Sequence, residues 1–138
     1  MKYLLDTNIC IYIIKKKPEQ VINTLSKMDP STIAISAVTW SELIYGVEKS
    51  QTPEKNHQAL SQFITPFEIL PWTEKEAYHC GEIRAKLSQL GTPIGPFDCQ
   101  IAGHALALNL TLVTNNEKEF RRVDGLKIIN WVNKQGLR

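Results

Sequence analysis

The stretch "YLLDTNICIYII", residues 3 to 14, sets one acid and one amide inside an otherwise apolar run. "YLL" at 3 to 5 has the pattern of a short buried strand, and a helix is expected over 7 to 16, so Asp6 falls where strand gives way to helix. Short apolar runs of the same kind recur at "TIAIS" (32 to 36), "FEIL" (67 to 70), "LTLVT" (110 to 114) and "KII" (127 to 129). They are short and mostly apolar, as strands of a parallel sheet covered on both faces must be.

Longer periodic segments separate them. Residues 74 to 90 place Ala77, Cys80, Ile83, Leu87 and Leu90 at helical spacing, opened by a Thr73/Glu76 capping box and closed by Gly91. From Pro96 to Leu108, Phe97, Ile101, Ala105 and Leu108 share one stripe, with Pro96 suited to the first turn. Further helices are expected near 19 to 28, 37 to 49 and 53 to 64. The alternation predicts an α/β fold with a short, central, mostly parallel sheet flanked by helices. No repeat, low-complexity tract or linker interrupts it, and "KSQTPEKN" at 49 to 56 reads as a turn into a helix, so residues 1–138 are expected to form one domain.

Composition excludes several classes. At 138 residues, 43% hydrophobic and 22% charged, the chain can bury a sizeable core. Its formal charge of +2, from 16 basic and 14 acidic residues, is too balanced to signal nucleic-acid binding by charge alone. Cys10, Cys80 and Cys99 lack paired spacing, which argues against a disulfide framework or zinc knuckle and suits a reducing cytoplasm. Asp6 and Asn8 break the N-terminal apolar segment, and Lys15, Lys16 and Lys17 follow it where a signal-peptide cleavage site belongs. No apolar run approaches the roughly 20 residues of a membrane helix, so a soluble, cytoplasmic protein is expected.

Four acids then stand out, each with an ordinary explanation. Asp6 can cap a helix; Glu42, in "AVTWSELIYGVEK", can be solvated opposite a buried stripe of Val38, Leu43, Ile44 and Val47. Asp98, after "GTPIGPF", suits the positive end of a helix dipole, and Glu119, in "VTNNEKEF", can be a loop acid. Their positions tell more than their identities. Asp6 and Glu119 follow strands, Glu42 and Asp98 come early in helices, and in a doubly wound sheet these places converge on one edge. Carboxylates so gathered repel one another unless a divalent cation neutralises them, and an all-oxygen set suits Mg²⁺ or Mn²⁺ rather than zinc. Such an ion activates water toward a phosphodiester.

The segments "LLDTNI" (4 to 9), "SELIYGVEKS" (41 to 50), "GTPIGPFDCQIAGHAL" (91 to 106) and "LVTNNEKEF" (112 to 120) together resemble the PIN-domain ribonucleases, specifically the VapC-type toxins of bacterial toxin–antitoxin modules. The resemblance implies that Asp6, Glu42 and Asp98 are the three principal acids and that Asp6 and Asp98 are the main metal ligands. Some members carry Asp where this chain has Asn116; others place the acid before the phenylalanine, and Glu119 is assigned here as the fourth acid. Thr114 and Asn116 then serve as polar supports for a carboxylate or water. The resemblance also implies a VapB-type antitoxin as partner, homodimerisation, and structured RNA, notably transfer RNA, as substrate.

Local cations available to RNA are Lys15 to Lys17, Arg84, Lys86, Arg121 and Arg122, with a solvated surface as the plainer alternative. Trp40, Trp72 and Trp131 can stack on bases but are expected to pack in the core or an interface, and His57, His79 and His104 lack ligand spacing. His104 is expected to pack locally. Two other functions compete with a ribonuclease: a non-catalytic RNA- or protein-binding module on a nuclease-like fold, and an aspartyl-phosphate phosphohydrolase. The second needs an acid two residues after its nucleophile, where this chain has Asn8.

Overall fold

The computed structural model describes residues 1–132. Five strands, β1 (Tyr3–Leu5), β2 (Ile33–Ser36), β3 (Glu68–Leu70), β4 (Thr111–Val113) and β5 (Ile128–Ile129), form one sheet in the order β3-β2-β1-β4-β5, parallel throughout. Among the described residues, seven α-helices surround it: α1 (Thr7–Lys15), α2 (Glu19–Ser26), α3 (Ala37–Glu48), α4 (Pro53–Ile64), α5 (Glu74–Gln89), α6 (Pro96–Ala107) and α7 (Glu117–Phe120). A 3-10 turn, Pro30–Thr32, precedes β2.

Alternation within the strands divides the core. Leu4 pairs with Ala34 and Leu112, and all three enter an apolar cluster with Cys80, Ile83 and Leu87 of α5, Ile101, Ala102 and Ala105 of α6, and Phe120 of α7. Leu5, Ile33, Ile35 and Val113 face the other way, against Ile9 and Cys10 of α1, Val21 of α2, Leu43 of α3, and Leu60 and Phe63 of α4. Successive residues of a strand point to opposite faces, so even a three-residue strand feeds two cores.

The chain changes direction of winding at β1, which lies between β2 on one side and β4 on the other. Such a switch point opens a crevice at the carboxyl ends of the strands. Three connections bring helices to that edge. The helices α1 and α3 start there because β1 and β2 run almost directly into them, and α6 starts there because it runs back antiparallel to the β4 that follows it.

The helix stripes differ from expectation in detail. On α5 the buried row is Glu76, Cys80, Ile83 and Leu87, while Ala77 and Leu90 are exposed. Glu76 tolerates burial because both the backbone N–H and the hydroxyl of Thr73 donate to its Oε1, at 2.6 and 2.7 Å. Burial alone would raise that carboxyl, but these bonds, aided by the nearby His104, lower it overall. On α6, Ile101 and Ala105 are buried as expected, but Phe97, in the first turn, and Leu108, at the C-cap, are exposed. The helix α7, within what reads as a loop, is held by its buried Phe120.

Candidate active site

Asp6 occupies the first position beyond β1. Its N–H donates to the Val113 carbonyl at 3.0 Å, which extends the sheet ladder into the crevice. The carboxylate Oδ1 accepts the Ile9 N–H at 2.9 Å, capping α1, and Oδ2 accepts the Thr114 hydroxyl at 2.5 Å. That hydroxyl in turn accepts the Asn116 N–H at 2.9 Å. The capping role and the place in the cleft therefore belong to the same side chain. Thr114 supports Asp6 through its side chain; Asn116 supports Thr114 through its backbone.

Glu42 approaches from the second turn of α3. The Thr7 hydroxyl donates to its Oε1 at 2.6 Å, and Thr39 Oγ1 lies 3.3 Å from the same hydroxyl. Thr7 thus ties the first turn of α1 to the acid on α3, a role the sequence reading missed; its only signal was a hydroxyl next to Asp6. Asp98 stands in the first turn of α6, begun by Gly95 and Pro96, and its carboxyl interacts with that of Glu119 of α7. Asp6, Thr7, Asn8, Glu42, Asp98 and Ile101 line one cleft of about 140 Å³. Glu119 joins through Asp98 rather than by lining the cleft. Larger hollows exist, such as one of about 450 Å³ beside Arg84, but its lining holds no carboxylate.

These acids interact electrostatically. Burial raises the Asp98 carboxyl to about 6, helped by its interaction with Glu119 and then by the charges of Asp6 and Glu42. Asp6 is raised as well, by burial and slightly by Glu42, against the opposing hydrogen bonds from Thr114, Ile9 and Asn8. Beneath them, burial pushes the Cys10 thiol well above its ordinary value, and the charges of Asp6 and Glu42 add to this, so it stays a neutral thiol.

A divalent cation fits this donor set. The cleft is lined by carboxylate, hydroxyl and amide oxygens with no imidazole or thiolate, the chemistry of Mg²⁺ or Mn²⁺. A positive charge there relieves the repulsion that raises Asp98. Among the described residues no three His, Cys, Asp or Glu side chains are arranged as a ready metal cage. Mg²⁺ does not require one, since it keeps several waters and takes one or two carboxylates.

The other residues singled out by sequence lie elsewhere. Lys86 pairs with Asp124, Arg121 with Glu117 at 2.6 Å, and Arg122 donates to the Pro93 carbonyl at 2.9 Å; Lys15 to Lys17 and Arg84 are exposed. Trp131 is buried edge-on to Tyr3, Trp40 packs against the same cluster, and Trp72 donates to the Gln100 carbonyl at 3.2 Å. His57 meets Glu48 and His79 meets Glu82. His104 is buried against Ser36, with Nδ1 2.8 Å from the Ser36 hydroxyl that caps α3; burial lowers its pKa despite the nearby Glu76.

Comparison with known proteins agrees with this arrangement. The PIN domain family matches residues 3–126, and the chain belongs to that family. It is 46% identical to the tRNA(fMet)-specific endonuclease VapC of Salmonella typhimurium and 47% identical to that of Shigella flexneri, over 95% of this chain and 98% of each relative. It is similar to the VapBC2 crystal structure from Rickettsia felis bound to a promoter DNA fragment, with 45% identity, a TM-score of 0.89, and coverage of 95% of this chain and 99% of that one. DNA-bound VapBC from Salmonella typhimurium matches at 46% identity and a TM-score of 0.89, covering 95% and 98%. A wholly parallel α/β sheet is common to many functions, whereas a VapC ribonuclease kinship at this identity is specific.

Proposed function

We propose that the protein is a divalent-metal-dependent endoribonuclease and the toxin of a toxin–antitoxin module, with Asp6, Glu42, Asp98 and Glu119 as its acidic centre. The observation that carries this is the convergence of acids from β1, α3 and α6 on one cleft, with the Asp98 carboxyl raised to about 6 by burial and by its acidic neighbours. Asp6 and Asp98 are the residues that would hold Mg²⁺ or Mn²⁺. When bound, the cation lowers the pKa of a water and offsets charge developing on the phosphodiester. Thr114 and Thr7 keep Asp6 and Glu42 in fixed rotamers; Glu42 and Glu119 would complete the acidic cup or position the attacking water, Glu119 acting through Asp98.

The relatives' names support transfer RNA, and in particular initiator transfer RNA, as the substrate class. The VapBC complexes support a VapB-type antitoxin as partner, and a homodimer is the expected assembly. Among the described residues no helix is long and apolar enough to cross a membrane, which accords with action in the cytoplasm. A phosphohydrolase reading is disfavoured by Asn8 in the cleft, at the place where that chemistry needs an acid. A binding module gains no support from a cleft that keeps all three principal acids.

The test is incubation of bulk bacterial transfer RNA with the purified, partner-free chain, with Mn²⁺, with chelator, and as Asp6→Asn. Discrete fragments that require cation and disappear in the folded variant are expected. RNA bound but uncut under all conditions would favour the binding module, and a phosphorylated Asp6 would revive the phosphohydrolase.

A further inference from the structure

Phe97 immediately precedes Asp98, yet its side chain is 54% exposed. A phenylalanine on a helical stripe ordinarily completes the core. Here the next member of that stripe, Ile101, is 2% exposed and lines the acidic cleft. Phe97 lies about one turn earlier on the same face, about 6 Å toward the helix N-terminus. Helical side chains lean toward the N-terminus, so the ring projects toward the end of α6 that carries Asp98.

The other exposed aromatics are differently placed. The Tyr45 ring lies 4.8 Å from the Lys49 ammonium, and Tyr78 meets His79 edge-on at 6.2 Å; neither adjoins a cleft residue in the chain as Phe97 adjoins Asp98. Among the described residues Phe97 has no ring or cation partner and belongs to neither apolar cluster.

The geometry points to Phe97 as a base-stacking platform that positions an unpaired nucleotide of RNA so that its phosphate lies over the acids. This rests on the ribonuclease reading above. One helical turn is on the scale of the separation between a nucleotide's base and its phosphate. The ring presents a π-face without a competing charge, and stacking on an aromatic is how proteins hold splayed-out RNA bases. The cleft is acidic and repels phosphate until a cation is bound. A neutral contact beside it supplies affinity that does not depend on charge and restricts the reaction to nucleotides able to unstack. Base identity is read weakly by such a platform, since every base has a π-face.

The experiment compares wild type with Phe97→Ala, Phe97→Leu, Phe97→Tyr and Phe97→Trp, on bulk bacterial transfer RNA with Mn²⁺. Circular dichroism and size-exclusion chromatography monitor fold and assembly. Phe97→Ala is expected to raise KM about tenfold or more, Phe97→Leu to fail to restore it, and the Tyr and Trp variants to restore it. In chelator, the added indole of Phe97→Trp should be quenched by the same RNA beyond any quenching seen in wild type. An unchanged KM in Phe97→Ala overturns the proposal, as does full restoration by leucine or a loss that tracks altered assembly. If wild type neither cuts nor binds RNA, the ribonuclease reading itself fails; if wild type cuts and Phe97→Ala cuts equally well, only the stacking role fails.

Discussion

The two oxygens of Asp6 are held by different parts of the fold, Oδ1 by the first turn of α1 and Oδ2 by Thr114 at the end of β4. Removing the second restraint leaves a buried carboxylate oxygen without its protein donor. Thr114→Val, nearly isosteric, should therefore destabilise the protein by about 1–3 kcal/mol and raise the Asp6 carboxyl further, weakening cation binding. Urea unfolding and Mn²⁺ titration of the same variant check both effects. At this scale, Asp6, Glu42 and Asp98 were legible because position relative to strand and helix predicts which edge each acid occupies. Thr7 was not, since its contact with Glu42 spans 35 residues and depends on how α1 crosses α3. Phe97 misled for a related reason: stripe periodicity records which face a residue shares, but not whether a neighbouring element covers it.

Between elements, the packing of α5 on α6 fixes where Asp98 stands. A Cβ placed on Gly103 would lie 2.8 Å from the Cys80 N, and 3.0 Å from both the Cys80 Cα and the Glu76 carbonyl oxygen. All three are backbone atoms, which cannot turn aside. Gly103→Ala should push the helices apart and cost about 1–3 kcal/mol, displacing the helix that carries Asp98 and lowering cleavage as well. A lowered urea midpoint with reduced turnover is the expected pair of results. The elements themselves were mostly legible: all five strands and the longer helices follow from apolar runs and periodicity, with ends shifted by a residue or two. The helix α7 escaped because four residues, three of them charged, give no periodic signal, and the anchoring of Phe120 is tertiary.

Across the whole molecule, the switch in winding at β1 gathers acids from distant parts of the chain, and this makes the cation-free protein sensitive to pH. Asp98 has a folded-state value of about 6 against an ordinary 3.8. Between those values the native state binds more protons than the unfolded one, so the contribution of Asp98 is present below about 4 and is lost as pH rises through about 6. Without cation, Asp98→Asn should thus gain melting temperature relative to wild type as pH is raised from 4 to 7. Paired thermal melts check the sign. A bound cation reverses the effect at neutral pH, stabilising wild type by mass action and favouring the ionised carboxylate. The most direct measurement is therefore calorimetric titration of Mn²⁺ into wild type and Asp98→Asn at pH 7.5, with the fold of both verified. Saturable binding to wild type, weakened tenfold or more in the variant, is the result predicted if these acids form one cation-dependent hydrolytic centre. Equal binding by both proteins, or none by folded wild type, would contradict it.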